Sequence, residues 1–369
     1  MADDEVEHQH EEVVQRTTAL QRAAVRLPLR GITLWTLSIV ILVGIVVGTR
    51  ARLNEGVFTG GDYLDFVIQG LSQGSLYAVI AVGYTLVYGI LFLINFAHGE
   101  VFMAGAFTSF FLARPLNESG FLDANPVMSV ILLLLASMLT SVVTAVLLER
   151  IAYRPLRGAP RLIPLITAIG ASLFLQNTFR GFYGARTRGY PIPDSLRGTW
   201  DVFGIDILKT QAIVIVGAAF LMVGLYLFVE RTRTGRSMRA VGEDKEIASL
   251  MGIDVDRVIV QTFAIGGMLA GAAGVLWAMV FQQVDFFMGF FPGIKAFTAA
   301  VLGGIGNIIG AALGGIILGL LEAIAPNLFI PPNVPSPNQL KDAIAFTVLV
   351  LILIFRPGGI LGSSDEEKA

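Results

Sequence analysis

The sequence predicts an all-α fold: a polytopic transmembrane bundle of about 8–10 helices, with a glycine-broken discontinuous helix or hairpin near the C-terminus. Three observations carry this expectation. Of the 369 residues, 54% are hydrophobic and only 15% charged, with a mean hydropathy of +0.72, whereas soluble domains carry roughly 25% charged residues. The charges gather in short clusters between long apolar runs, as expected where hydrocarbon solvates most side chains. Strict period-two alternation is missing, which argues against a β-barrel and leaves helices to satisfy the backbone.

Residues 1–31 read as a polar cytoplasmic arm, acidic at Asp3, Asp4, Glu5, Glu7, Glu11 and Glu12, then basic at Arg16, Arg22, Arg26 and Arg30. Its composition is that of a disordered segment. The uncharged run 32–49 suffices to cross the hydrocarbon and is followed by no convincing A-x-A cleavage site, so it is expected to be an additional, uncleaved helix entered from the cytoplasm. Further spans are drawn at 64–93, 95–113, 127–148, 162–179, 211–229, 258–281, 297–324 and 343–355, inside a membrane domain of residues 60–362, with a tail at 363–369. Loop 149–161 carries Arg150, Arg154, Arg157 and Arg161, and loop 230–257 carries Arg231, Arg233, Arg236, Arg239 and Lys245. Both are expected on the cytoplasmic side, and the drawn spans put them there. Loop 180–209 carries Arg186, Arg188 and Arg197 yet falls outside, where its length lets charge weigh less. The run 297–324 is long for one helix and holds Gly303, Gly304, Gly306 and Gly310. Read as a hairpin, it returns the C-terminus to the cytoplasm.

The net charge of −2 offers no concentrated basic face for nucleic acid. Without cysteine, disulfides and thiolate metal sites are excluded. No GxxxxGK[ST] occurs, and Gly310 falls one residue late for a GxGxxG begun at Gly304 and Gly306, so no nucleotide cofactor is expected. The acidic residues fall mainly in loops and tails, no catalytic set assembles, and intramembrane ionisable pairs read as scarce. The sequon at Asn117 is read as chance.

Three constellations remain. Glycines recur at four-residue spacing, at Gly70 and Gly74, Gly267 and Gly271, Gly306 and Gly310, Gly310 and Gly314, and Gly315 and Gly319. Such spacing lets helices approach closely in lipid; the alternative is that Gly303, Gly304, Gly306 and Gly310 line a translocation path, since irregular backbone survives at membrane depth only where protein or water covers it. Asn95, His98 and Glu100 in INFAHGE read either as a satisfied polar turn at the cytoplasmic edge or as path residues. A metal site is not expected, because His8 and His10 lie in the arm. Segment 232–254 carries Met238, Val241, Ile247, Ala248, Leu250 and Met251, which suits short amphipathic helices beside the membrane as well as a plain solvated basic loop.

The strings GLSQGSLYAVIAVGYTLVYGILFLINFAHGEVFMAGAF, ERIAYRPLRGAPRLIPLITAIGASLFLQN, GRSMRAVGEDKEIASLMGID, KAFTAAVLGGIGNIIGAALGGIILGLLEAI and RPGGILG closely resemble the branched-chain amino-acid ABC-transporter permeases, over about residues 65–362 and in the same order. The resemblance implies an importer of leucine, isoleucine or valine in the bacterial inner membrane, and makes 60–362 an ABC permease domain. It implies pairing with a second permease, two cytoplasmic ATPase subunits beneath, and an extracytoplasmic amino-acid-binding protein, so that this chain is a transport subunit rather than an enzyme. It also implies that Arg236, Arg239, Ala240, Gly242, Glu243, Asp244, Ala248, Gly252 and Ile253 belong to the element that couples to the ATPase. Related urea-importer permeases, or a stand-alone secondary transporter, are the alternatives; KAFTAAVLGGIGNIIGA favours amino acid over urea. The resemblance leaves residues 1–60 unexplained.

Overall fold

The computed structural model describes residues 60–160, 162–202, 205–329, 341–355 and 358–362. The expected arm at 1–31, the additional helix at 32–49 and the tail at 363–369 lie outside the described residues. The described chain forms twelve α-helices and two small two-stranded ladders. Helix α1, Gly60–Leu91, has 32 residues and so a length of about 48 Å. It is the axis of the bundle, with 89% of its most apolar window buried, against 22% for each of α4 (Pro126–Leu148), α5 (Leu162–Tyr183) and α6 (Lys209–Arg231). Six helices are long and apolar enough to cross a membrane among the described residues.

The packing logic is that of lipid, inverted from a soluble protein. Along α4 the positions Val127, Ile131, Leu135, Leu139, Val143 and Leu147 are exposed while Ser129, Leu133, Ser137, Ser141 and Ala145 are buried. Each set repeats every four residues, so one face offers bulky aliphatics to hydrocarbon and the other offers small groups to protein. Ser137 Oγ donates to the Gly271 carbonyl at 2.7 Å and Ser141 Oγ to that of Val101 at 2.8 Å. These bonds tie α4 to α9 (Val255–Phe281) and α2 (His98–Glu118). A Cβ on Gly319 of α11 (Ile308–Phe329) would stand 2.2 Å from the Gly74 nitrogen, and one on Gly315 would stand 2.4 Å from Ala78. The stripe at 70, 74 and 78 therefore meets the stripe at 315 and 319 backbone to backbone, which only glycine permits.

At one end of the bundle, strand β1 (Arg188–Gly189) pairs antiparallel with β4 (Gln283–Val284), and β2 (Thr199–Val202) with β3 (Ile205–Leu208). The Asp194 amide donates to Asp123 of the short α3, Phe121–Ala124, at 2.7 Å. At the opposite end lie the C-terminus of α1 and helices α7 (Arg233–Glu243) and α8 (Lys245–Leu250). Arg154 and Arg157 join them there, both bonded to Asp256 at the start of α9. Both arginine-rich loops thus share one end, as the charge pattern requires.

The run 297–324 is broken. Helix α10, Phe290–Gly303, has 14 residues, about 21 Å, too short for the roughly 30 Å of hydrocarbon. It begins inside the body, where Gly289 and Gly293 press on Gly99 of α2. It ends in a turn with Gly304 at φ 107° and Gly306 at φ 95°, values that exclude most side chains, after which α11 runs back. Helix α12, Lys341–Phe355, leads to residues 358–362, where the Ile360 and Leu361 amides donate to the Leu302 and Gly303 carbonyls, each at 2.9 Å. The hairpin alternative is the one adopted, and the C-terminal segment returns to the end that holds the arginine-rich loops.

Candidate functional site

Segment 232–254 is two helices rather than a solvated loop, and its punctuation is chemical. The Thr232 hydroxyl accepts from the Gly235 amide at 3.0 Å and starts α7. Asp244 accepts from the amides of Glu246 and Ile247 at 2.8 and 2.9 Å and starts α8, and Asp254 accepts from the Arg257 amide at 3.0 Å and starts α9. Each is an N-cap supplying a partner to an otherwise unsatisfied donor. Helix α8 closes with the Ile253 amide on the Ala248 carbonyl and the Gly252 amide on that of Ser249, both at 3.0 Å, with Gly252 at φ 84°, the Schellman arrangement.

These caps fix which side faces out. Gly235, Met238 and Val241 are buried on α7, as is Ala248 on α8. Ala240 and Ile253 are half-buried, whereas Arg236, Arg239, Glu243, Asp244 and Gly252 are exposed. Arg239 donates to the Val229 carbonyl at 2.5 Å and lies 3.3 Å from Glu230, tying α7 back to α6. Gly242 meets the end of α1, since a Cβ there would stand 2.8 Å from the Gly89 carbonyl oxygen. Lys245 lies over the Phe92 ring at 5.8 Å; burial, and then the Arg157 guanidinium, hold its ammonium below the usual lysine range. Ile247, Leu250 and Met251 point away from the body, Leu250 at 87% exposure. A cleft of about 740 Å³ opens between Gly89, Arg239, Gly242 and the Gly306 turn.

Asn95, His98 and Glu100 are all buried, and His98 lies well inside the bundle edge expected of it. His98 packs 4.7 Å from the Tyr84 ring, and Gly83 and Gly266 leave room for its imidazole. Gly266 is eleven residues along α9 from Val255, so His98 sits about 16 Å inside. Asn95 accepts from the Tyr153 hydroxyl at 2.7 Å, and Glu100 accepts from Gln176 at 2.7 Å and Ser172 at 3.1 Å on α5. Tyr153 reaches Asn95 because a π-turn, Glu149–Tyr153, swings it inward at the end of α4. The same turn buries Glu149, which Arg157 neutralises. The three residues therefore meet three different parts of the bundle: Asn95 the turn after α4, His98 the α1/α9 crossing, and Glu100 helix α5. Gly303 and Gly310 face one another across the hairpin, while Gly304 packs on Gly362.

One cluster has no signature in the sequence. Lys295 of α10 lies 3.0 Å from Glu322 of α11 and 2.6 Å from Asp342 of α12, and Tyr77 of α1 donates to Glu322 at 2.9 Å. Buried ionisable pairs are therefore present, contrary to the scarcity expected. Lys295 and Glu322 stand 27 positions apart in apolar runs, and only the α10–α11 hairpin brings them together.

A buried helical axis, lipid-facing outer helices, a half-span hairpin and a capped helix pair outside the apolar body define a polytopic membrane permease. Residues 66–353 match the branched-chain amino acid transport system / permease component family. The chain belongs to this family of ABC-transporter permeases. It is 44% identical over 309 residues to the high-affinity branched-chain amino acid transport system permease protein BraD of Pseudomonas aeruginosa, covering 83% of this chain and 98% of that one. It is 42% identical over 315 residues to the corresponding permease LivH of Escherichia coli, covering 83% and 97%.

Proposed function

We propose that this chain is one of two permease subunits of an ATP-driven importer that carries leucine, isoleucine and valine across the bacterial inner membrane. Two separate cytoplasmic ATPase subunits and an extracytoplasmic binding protein complete the assembly. The single observation that carries the coupling part is the outward apolar triplet Ile247, Leu250 and Met251 on a helix rigidly capped at both ends. Apolar side chains beside exposed Asp244, Glu246 and Asp254 are poor lipid anchors and suit a protein partner. That partner is the ATPase, and the end carrying α7 and α8 is cytoplasmic, in line with its arginines.

Closing of the ATPase pair on ATP moves α8, and α7 passes the displacement to α1 through the Gly242–Gly89 contact. ATP biases the bundle only through its different affinity for the two states. The apolar substrate side chain calls for a path of small and apolar groups, so selectivity rests largely with the delivery protein.

Uptake by vesicles holding the purified assembly tests this reading. Accumulation of labelled leucine should require ATP and the binding protein. Leu250→Asp should leave the chain in the membrane but lower ATPase co-purification and uptake by tenfold or more. Uptake without ATP or partner subunits would indicate a stand-alone secondary transporter, the reading that buried Lys295 and Glu322 would otherwise suit.

A further inference from the structure

The cluster around Lys295 has an uneven composition: one ammonium serves two carboxylates from different helices. Their surroundings differ sharply. The Glu322 side chain is fully buried and that of Lys295 is 8% exposed, whereas that of Asp342 is 41% exposed. Glu322 also receives the Tyr77 hydroxyl at 2.9 Å and the Lys295 ammonium at 3.1 Å on the same oxygen. A carboxylate buried this deeply cannot be abandoned by its cation without a large desolvation penalty. Asp342 is the cheaper of the two to abandon: its Oδ1 is shielded beside Lys295 and makes no hydrogen bond, so releasing it breaks an ion pair alone, while the rest of its side chain is open. Lys295 can therefore release Asp342 and remain neutralised, which a simple one-to-one pair would not allow.

Location gives that asymmetry a use. Lys295 sits one turn into α10, between a start packed on Gly99 and an end fastened by residues 358–362. Asp342 is in the first turn of α12, the helix that leads into that fastening segment. The Lys295–Asp342 contact is thus a side-chain latch on the seam between the half-span helix and α12.

We propose that Lys295 is a positioning residue for transport, locked to Glu322 in every state while its bond to Asp342 breaks and re-forms as the α10/α12 seam opens and closes. This rests on the importer reading above. Loss of the latch favours the open seam, so ATP is spent without a matching transport event. A half-exposed ion pair shifts such a balance by about fivefold.

The test uses the full assembly in vesicles. Asp342→Asn should melt with the unaltered protein and keep its apparent KM, while ATP hydrolysed per leucine imported rises about fivefold. The chain has no cysteine, so a spin-label pair at the exposed positions Phe291 and Val350 reports the seam directly. In Asp342→Asn its distance distribution should move toward the longer component without ATP. An unchanged ratio with an unchanged distribution overturns the proposal.

Lys295→Met combined with Glu322→Met separates positioning from simple support, since an apolar exchange of a buried pair preserves folding. It should assemble normally and import at least tenfold more slowly, with Lys295→Arg retaining most activity. Wild-type uptake by the double variant also overturns the proposal, and if that variant does not assemble, the Asp342→Asn measurements decide. Absence of ATP-driven uptake by the unaltered assembly would count against the importer reading instead, and the label distances would still decide whether the latch exists.

Discussion

Gly319 and Ser137 show how little side chain this bundle tolerates where helices cross. A Cβ on Gly319 would meet the Gly74 backbone at 2.2 Å, so Gly319→Leu must separate α1 from α11. A loss of about 1–3 kcal/mol or more is expected, read as a lowered melting temperature in detergent. Ser137→Ala removes one interhelical hydrogen bond and should cost only about 0.6 kcal/mol, a shift of very few degrees in the same assay. Arg157→Ala should be far worse. It strands the fully buried Glu149 carboxylate, a change that typically costs about 3–5 kcal/mol, and Glu149→Gln in the same chain should recover most of it. The four-residue glycine spacing was legible without coordinates because helix geometry alone puts i and i+4 on one face. The Glu149–Arg157 pair was not, because a π-turn rather than an α-turn sets the direction of Glu149.

In segment 232–254, which the sequence left open between short helices and a solvated loop, the element boundaries are set by local chemistry. Thr232, Asp244 and Asp254 are N-caps, so the break between α7 and α8 and the start of α9 follow from local hydrogen-bonding chemistry. Gly242 lies in the last turn of α7, and Gly242→Pro should break that turn at a cost of about 3 kcal/mol or more. Transport should be abolished while the protein stays in the membrane; unimpaired uptake would dissociate α7 from coupling. The INFAHGE turn is the opposite case. Local pattern puts it between two apolar runs and so at the bundle edge, but its residues lie in the interior. Gly83, Gly99 and Gly266 lack the atoms that would otherwise occupy the space taken by His98 and by the start of α10, and no local rule reports such a vacancy.

For the whole molecule, orientation is the property most open to direct measurement. Cysteine introduced at Ile247 should react with a membrane-impermeant maleimide from the cytoplasmic side only, and cysteine at Arg186 from the outer side only; the reverse pattern would invert the topology. The sequence by itself determined the solvent, the positions of the long apolar helices and the sharing of one end by the two arginine-rich loops. These depend on composition and on contacts within a few residues, which the chain carries wherever it folds. Only the tertiary structure decided that α10 stops halfway, that INFAHGE is interior, and that Lys295 finds Glu322 and Asp342. Those facts depend on which distant backbone fills the space beside a residue, and in hydrocarbon that is settled by close packing and the pairing of buried charges across helices rather than by any one helix alone.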